Sequence, residues 1–246
     1  MLISSLPVDW KMLQSEVARV LSECGMATQV EYTLRLVRGQ ADIDVYATDK
    51  DSQPPTVYVC ECKRWSSSVP QTVVHALRQV VTDGGANWGL LISQAGFQSG
   101  AYKAARKSNV KLLTWDQFCE MFASRWVDRY LRPALRAVNE PLVDYTEPMS
   151  PRVIRHPMRF DDVKRETFAA LVDKYQPLAF YCLSLYQNGR PRRPLTLPLQ
   201  VSEPRLATDL PADVMEEQML RPFLKRLRAH IDSALQQFDT FFGGRI

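Results

Sequence analysis

The hydrophobic pattern of the first half of the chain predicts alternating helices and strands. Apolar positions recur at helical spacing in some segments and alternate with polar positions in others. Helices are predicted over 8–24, 70–82 and a short stretch ending at Lys107, and strands over 28–37, 41–47, 57–65, 88–93 and 110–115. The order α-β-β-β-α-β-α-β predicts an α/β fold in which a mixed sheet has helices on both faces.

Beyond Phe118 the pattern changes. A helix is predicted to Asn139 with a break or kink at Pro133, and the proline-containing stretch 140–157 is predicted to be a linker. The rest is predicted as an α+β extension: a helix over 161–174, a hairpin of strands 177–186 and 195–201 that turns at Asn188-Gly189, and a long helical stretch over 213–242. The predicted domains are therefore 1–118, a helix and linker over 119–157, and a C-terminal α+β region over 158–246.

Composition limits the class of protein. The chain has 246 residues, of which 46% are hydrophobic and 24% charged, as in soluble globular proteins. No apolar run approaches the roughly 18 residues of a membrane span, and the first ten residues lack the features of a signal peptide. Five cysteines without a CxxC pair predict a cytoplasmic protein without a disulfide framework or zinc site. The net charge of +4 permits nucleic-acid binding.

Charged residues on two neighbouring predicted strands, ADIDVYA and VYVCECKRW, suggest a site. Because side chains alternate along a strand, Glu61 and Lys63 share one face of the second strand while Cys62 points away. If the strands pair, Asp44 joins Glu61 and Lys63 in one cluster. Two carboxylates with one ammonium are costly to hold together, and carboxylate oxygens are ligands that Mg²⁺ prefers. A lysine beside such a metal can orient a water or stabilise charge on a phosphoryl group.

The segments ADIDVYA, ECKRW, GANWGLLIS and AGFQSGA together resemble the Mrr-like restriction endonuclease family of the PD-(D/E)xK superfamily, over about residues 9 to 118. The resemblance implies a restriction-endonuclease-like core in domain 1–118. It also implies a Mg²⁺-dependent DNA endonuclease in which Mn²⁺ can substitute. In this family's pattern Asp44, Glu61 and the backbone carbonyl of Cys62 hold the metal, and Lys63 positions or activates the attacking water.

Three further residues are accessory candidates under this resemblance. The glycine-rich run often found before the metal aspartate is absent, and Gln40-Ala41-Asp42 stands in its place, so Asp42 is a second candidate carboxylate. An acidic residue on the first helix joins the metal site in some family members, which makes Glu16 a candidate. Gln79 matches a helical glutamine of related nucleases. For Glu16 and Gln79 the alternative is a solvent-exposed role.

Several residues are candidates for DNA contact: Arg64, Gln98, Ser99, Arg190, Arg192 and Arg193. The glycine-rich loop before Ser99 either holds a phosphate at a helix N-terminus or simply allows the turn into the helix. The arginine cluster after Asn188-Gly189 either contacts phosphate or keeps an edge strand soluble.

The expected role is restriction of foreign DNA. Cutting both strands usually needs two active sites, so a homodimer is expected. One alternative is a junction-resolving or repair nuclease. Another is a catalytically silent nucleic-acid-binding or interaction module with the same fold, and a third is a surface ion-pair network without function. The region 158–246 is expected to serve dimerisation, target recognition or regulation.

Overall fold

A computed structural model describes residues 2–150, 160–187, 195–199 and 210–243. The chain divides into two compact units, Leu2–Arg129 and Tyr130–Ile246. The division falls after Arg129 and not at the predicted residue 118. The reason is that the helix Trp115–Trp126 buries Phe118, Phe122 and other side chains while contacting the first helix and the sheet.

The first unit is built on a five-stranded mixed sheet. The strands follow one another across the sheet in chain order: β1 (Ala27–Arg35), β2 (Gln40–Asp49), β3 (Thr56–Lys63), β4 (Trp88–Ser93) and β5 (Val110–Thr114). β1, β2 and β3 pair antiparallel, whereas β3, β4 and β5 pair parallel. The parallel half requires crossover helices, as the alternating pattern predicted.

Two pairs of helices cover this sheet: α1 (Trp10–Glu23) with α4 (Trp115–Trp126), and α2 (Gln71–Asp83) with α3 (Ser99–Ala105). α1 contacts β1 to β3 and α4, while α2 and α3 contact each other and β5. Helix α4 begins at a capping box, in which the Thr114 hydroxyl accepts the Gln117 N–H at 3.2 Å and the Gln117 side chain accepts the Thr114 N–H at 2.9 Å. The predicted mixed sheet with helices on both faces is confirmed.

A buried apolar cluster fixes the strands that carry the candidate site. Ile43 of β2, Val59 of β3 and Leu91 of β4 pack with residues of α2 and α3, including Leu77 and Ala101. Burying branched side chains of this size contributes on the order of 1.5–3 kcal/mol each. The polar residues on β2 and β3 are therefore presented from a rigid part of the sheet.

The second unit is helical in its described residues. The chain passes from α4 through a π-helix, Val127–Leu131, into α5 (Arg132–Thr146), and continues with α6 (Asp162–Tyr186), α7 (Ala212–Met215) and α8 (Leu220–Phe242). Pro133, the predicted break or kink, is the second residue of α5 and directly follows the π-helix, so the helical path is irregular at the point where proline has no N–H to donate.

Two predictions for this half are wrong. Residues 177–186 form the end of helix α6 and not a strand, because Leu178, Ala179 and Cys182 bury one helical face and α6 packs on α5. The predicted linker starts too early, because α5 continues to Thr146 with Pro141 inside it and Leu142 and Tyr145 buried. The hairpin turn at Asn188-Gly189 lies outside the described residues, and 195–199 is not a strand.

None of the described helices is both long enough and apolar enough to span a membrane.

Candidate metal site between strands β2 and β3

Asp44 lies where strands β2 and β3 separate. Their antiparallel register runs from Asp49 opposite Thr56 to Val45 opposite Cys60 and is not continued at Asp44. Here the carboxylate of Asp44 takes the place of a backbone partner, because its Oδ2 accepts the N–H of Cys62 at 2.6 Å. The side chain of Asp44 is thus fixed against the backbone that carries Glu61 and Lys63.

Glu61 and Lys63 form an ion pair on β3. The Nζ of Lys63 donates to Oε1 of Glu61, and the two side chains are 20% and 23% exposed for lysine and glutamate respectively. Burial raises the pKa of Glu61, the nearby charge of Asp44 raises it further, and Lys63 opposes both effects. The structure therefore brings together the three residues that the sequence singled out, and the two carboxylates repel each other there.

Lys63 also contacts an aromatic ring. Its Nζ lies 5.5 Å from the ring centroid of Trp65, which is 41% exposed just beyond the end of β3. This distance is within the range of a cation–π interaction. The lysine is consequently held from two sides, by a carboxylate and by a ring face.

Gln14 is a site residue that the sequence reasoning missed. It is 5% exposed on α1, and its Nε2 donates to Oδ1 of Asp44 at 2.6 Å. The available signal was its place beside Leu13 and Val17 on the apolar stripe, since a polar residue on a buried face needs a hydrogen-bond partner. Both oxygens of Asp44 thus receive a donor, one from the sheet and one from α1.

The three accessory candidates form contacts with residues outside the cluster of Asp44, Glu61 and Lys63. Glu16 forms an ion pair with Arg19 at 3.4 Å. The Oδ1 of Asp42 accepts the hydroxyl of Thr33 at 2.9 Å on an exposed part of the sheet. Gln79 is exposed and donates to Asp83 on its own helix at 2.6 Å, as its alternative, solvent-exposed role predicted. Their participation in a metal site stays a prediction.

The candidate DNA contacts fall into two groups. Arg64 donates from Nε to the carbonyl of Pro7 at 2.8 Å, and Gln98 and Ser99 are exposed at the start of the short helix α3. Arg190, Arg192 and Arg193 lie outside the described residues. A role in DNA binding stays a prediction for all of them.

The atoms available to coordinate a metal are oxygens. Burial raises the pKa of Cys60 and Cys62 well above the ordinary thiol value, so both stay protonated and are poor ligands. Among the described residues no group of three acidic, histidine or cysteine side chains gathers at one point. Two carboxylates fit Mg²⁺, which takes few protein ligands and keeps several waters. The Cys62 carbonyl stays a predicted further ligand.

Comparison with known protein families gives a match over most of the first unit. Residues 6–122 match the family model Mrr_cat, described as a restriction endonuclease. No curated protein matches the chain. The crystal structure of a protein of unknown function, AF1548, is similar with a TM-score of 0.41 and 16% identity, over 68% of this chain and 97% of that one. Residues 6–122 therefore belong to the Mrr_cat restriction-endonuclease family, the nuclease family that the ADIDVYA and ECKRW segments resemble.

Proposed function

We propose that the unit Leu2–Arg129 is a Mg²⁺-dependent DNA endonuclease whose site is formed by Asp44, Glu61 and Lys63. The observation that carries the proposal is a charge imbalance. Of two neighbouring, partly buried carboxylates, Glu61 is paired with the ammonium of Lys63, and Asp44 has no ion-pair partner among the described residues. Burial, followed by the charge of Asp44, raises the pKa of Glu61. Asp44 and Glu61 would hold a divalent cation, whose charge would relieve this repulsion.

Asp44 and Glu61 are the residues that would hold the cation. Asp44 is prepared for this by the N–H of Cys62 and the amide of Gln14, which fix the orientation of its carboxylate. Supporting hydrogen bonds of this kind typically tune metal affinity by about 10–100-fold. Gln14 is therefore a positioning residue in this proposal.

Lys63 supplies the positive charge that the protein itself brings to the reaction. Its ammonium donates hydrogen bonds to the attacking water and to a phosphate oxygen, which orients the first and stabilises charge on the second. When bound, Mg²⁺ polarises the scissile phosphate and stabilises the charge that develops during hydrolysis.

The proposed role is restriction of foreign or modified DNA, in keeping with the description of the matched family. Cleavage of both strands needs two active sites, so we propose that the protein acts as a homodimer. A panel of methylated, unmethylated, single-stranded and branched DNA tests this role. Preference for branched DNA would point instead to a junction-resolving or repair nuclease.

The test of the activity is a plasmid cleavage assay in Mg²⁺ or Mn²⁺ with wild-type protein, Asp44→Ala and Lys63→Ala. We expect nicked and linear products from the wild type and a loss of at least about a hundredfold in each variant. Equal cutting by all three would reject the site. DNA binding without cutting by the wild type would favour a catalytically silent module.

A further inference from the structure

We propose that Trp65 positions Lys63 for catalysis through the face of its indole ring. This inference rests on the proposed function for its catalytic consequence, whereas the contact itself can be observed whether or not the protein cleaves DNA. The Nζ of Lys63 lies 5.5 Å from the ring centroid, and the same ammonium donates to Glu61. Trp65 is thus a positioning residue that acts through the lysine.

Binding of a cation to Glu61 would change the surroundings of Lys63. The carboxylate of Glu61 is the hydrogen-bond partner of Lys63. A cation held by Glu61 would compete for the same oxygens and would repel the ammonium. The ring of Trp65 then becomes the remaining contact that keeps the lysine beside the site, because the aromatic face attracts a cation without competing for carboxylate oxygens.

The position of Trp65 is fixed by the backbone around it. The preceding residue, Arg64, donates from Nε to the carbonyl of Pro7 at 2.8 Å, which joins the end of β3 to the N-terminal segment. That segment is itself fixed, because Ile3 is fully buried and the carbonyl of Ser4 accepts the Nε1–H of Trp115 at 2.9 Å. The chain next to Trp65 is therefore anchored, while Trp65 itself is 41% exposed and its ring lies 5.5 Å from the Nζ of Lys63.

The chain contains a matched control for this contact. The Nζ of Lys111 lies 5.2 Å from the ring centroid of Trp88. Trp88 begins β4, whereas the β4 residue that pairs with Lys63 is Ser93 at the other end of that strand. The Trp88–Lys111 contact thus has the same chemistry at the opposite end of the sheet from the candidate site.

The first experiment observes the contact directly in metal-free protein. Lysine is labelled with ¹³C, and the ε-methylene resonances of Lys63 and Lys111 are assigned with Lys63→Arg and Lys111→Arg. We expect both to be shifted upfield by the neighbouring ring. Trp65→Leu should return only the Lys63 resonance to its ordinary position, and Trp88→Leu only that of Lys111. A Lys63 resonance that is unshifted in the wild type, or unchanged by Trp65→Leu, would overturn the inference.

The second experiment measures the consequence. In single-turnover cleavage with saturating DNA and Mg²⁺, we expect Trp65→Leu to lower the rate about fivefold, Trp65→Phe to recover part of it, and Trp88→Leu to leave it unchanged. A Trp65→Leu rate equal to that of the wild type, or a Phe variant as slow as Leu, would contradict a role of the ring face. If the wild type does not cleave at all, the proposed function fails, and the lysine resonance still decides the positioning claim.

Discussion

Strand β2 carries a half-buried carboxylate near its middle, Asp44, and a buried one at its last residue, Asp49, and the two have opposite surroundings. Asp49 is 3% exposed, and its carboxylate accepts hydrogen bonds from two guanidinium nitrogens of Arg125. Asp44 is half-buried, and its carboxylate accepts hydrogen bonds from the side-chain amide of Gln14 and the backbone N–H of Cys62. In the described part of the chain Asp44 forms no ion pair, and the ammonium of Lys63 is bound to Glu61. The charge of Asp49 is thus balanced by Arg125, whereas that of Asp44 has no ion-pair partner among the described residues.

The pKa shifts show the same contrast. Hydrogen bonding to Arg125 lowers the pKa of Asp49, so this carboxyl is stabilised in its charged form. Burial, followed by the charge of Asp44, raises the pKa of Glu61, so that carboxyl is strained in its charged form. Arg125 also donates to the carbonyl of Cys24 at 2.8 Å, which ties α4 to the end of α1. Asp49 therefore serves the fold, whereas the surroundings of Asp44 support the proposed metal site.

Glu61→Gln gives the largest expected effect on activity. The substitution keeps the shape of the side chain, removes one anionic ligand and relieves repulsion with Asp44. We expect cleavage to fall by at least about a hundredfold while the protein keeps its fold. Single-turnover cleavage and a urea unfolding curve measure the two quantities on the same preparation. Loss of folding with this variant would mean that the cluster is structural.

Arg125→Met gives the largest expected effect on stability. It leaves the buried carboxylate of Asp49 without its partner, and we expect a loss of about 3 kcal/mol in the free energy of unfolding. The matched control is Arg129→Met, which removes an ion pair with Asp51 in which both side chains are about half exposed. There we expect a change of at most about 0.5 kcal/mol.

The same Arg125→Met protein also tests whether the structural role of Asp49 is independent of the proposed metal site at Asp44. At a temperature where it remains folded, it should cleave DNA at the wild-type rate and with the same Mg²⁺ dependence. A changed Mg²⁺ dependence would show that the Asp49–Arg125 pair influences the proposed metal site at Asp44.

The sequence predicted the strands and the charged cluster but not the contact from α1. The cluster of Asp44, Glu61 and Lys63 could be predicted because strand alternation is regular and the motif is local. Gln14 and Glu16 both stand near the apolar stripe of α1. Which of them reaches β2 depends on how α1 packs across the sheet, and helical spacing alone does not contain that information.

The second unit was predicted less well for a related reason. In residues 177–186 apolar side chains occur often enough to satisfy both a strand and a helix pattern. Packing on α5 selects the helix, and there the buried Asn139 donates to the carbonyl of Ala179 at 3.0 Å. A long-range contact of this kind overrides the local preference.

Gln14→Leu tests the contact that the sequence did not reveal. Leucine keeps much of the volume but cannot donate to Asp44, so we expect Mg²⁺ affinity to fall about tenfold. The Mg²⁺ dependence of cleavage measures it. Glu16→Gln serves as the control on the same helix and should leave that dependence unchanged. An equal effect of both variants would restore Glu16 as a member of the site.

The pH dependence of stability gives the smallest expected effect. The pKa of Glu61 is raised above its ordinary value of 4.5, so the folded protein keeps a proton that the unfolded chain has lost. Its contribution to the free energy of unfolding therefore falls as pH rises from about 4.5 through the raised pKa. Glu61→Gln should remove this fall in metal-free protein.

Asp49 should behave in the opposite direction. Its pKa is lowered from 3.8, so its stabilising contribution is present above that pH and is lost as pH falls through the lowered value. Urea unfolding of wild type, Glu61→Gln and Asp49→Asn between about pH 3 and pH 8 measures both slopes. Slopes of the same sign at Glu61 and Asp49 would contradict the contrast between these two carboxylates.

The most direct test of the central claim measures whether the protein needs Asp44 to bind a divalent cation. Free Mn²⁺ is followed by electron paramagnetic resonance during titration of wild type, Asp44→Asn and Asp42→Asn, with Mg²⁺ as competitor. We predict a Mn²⁺ site that Mg²⁺ displaces in wild type and Asp42→Asn, and that Asp44→Asn loses. Equal Mn²⁺ binding by wild type and Asp44→Asn would contradict the assignment of the metal to Asp44 and Glu61.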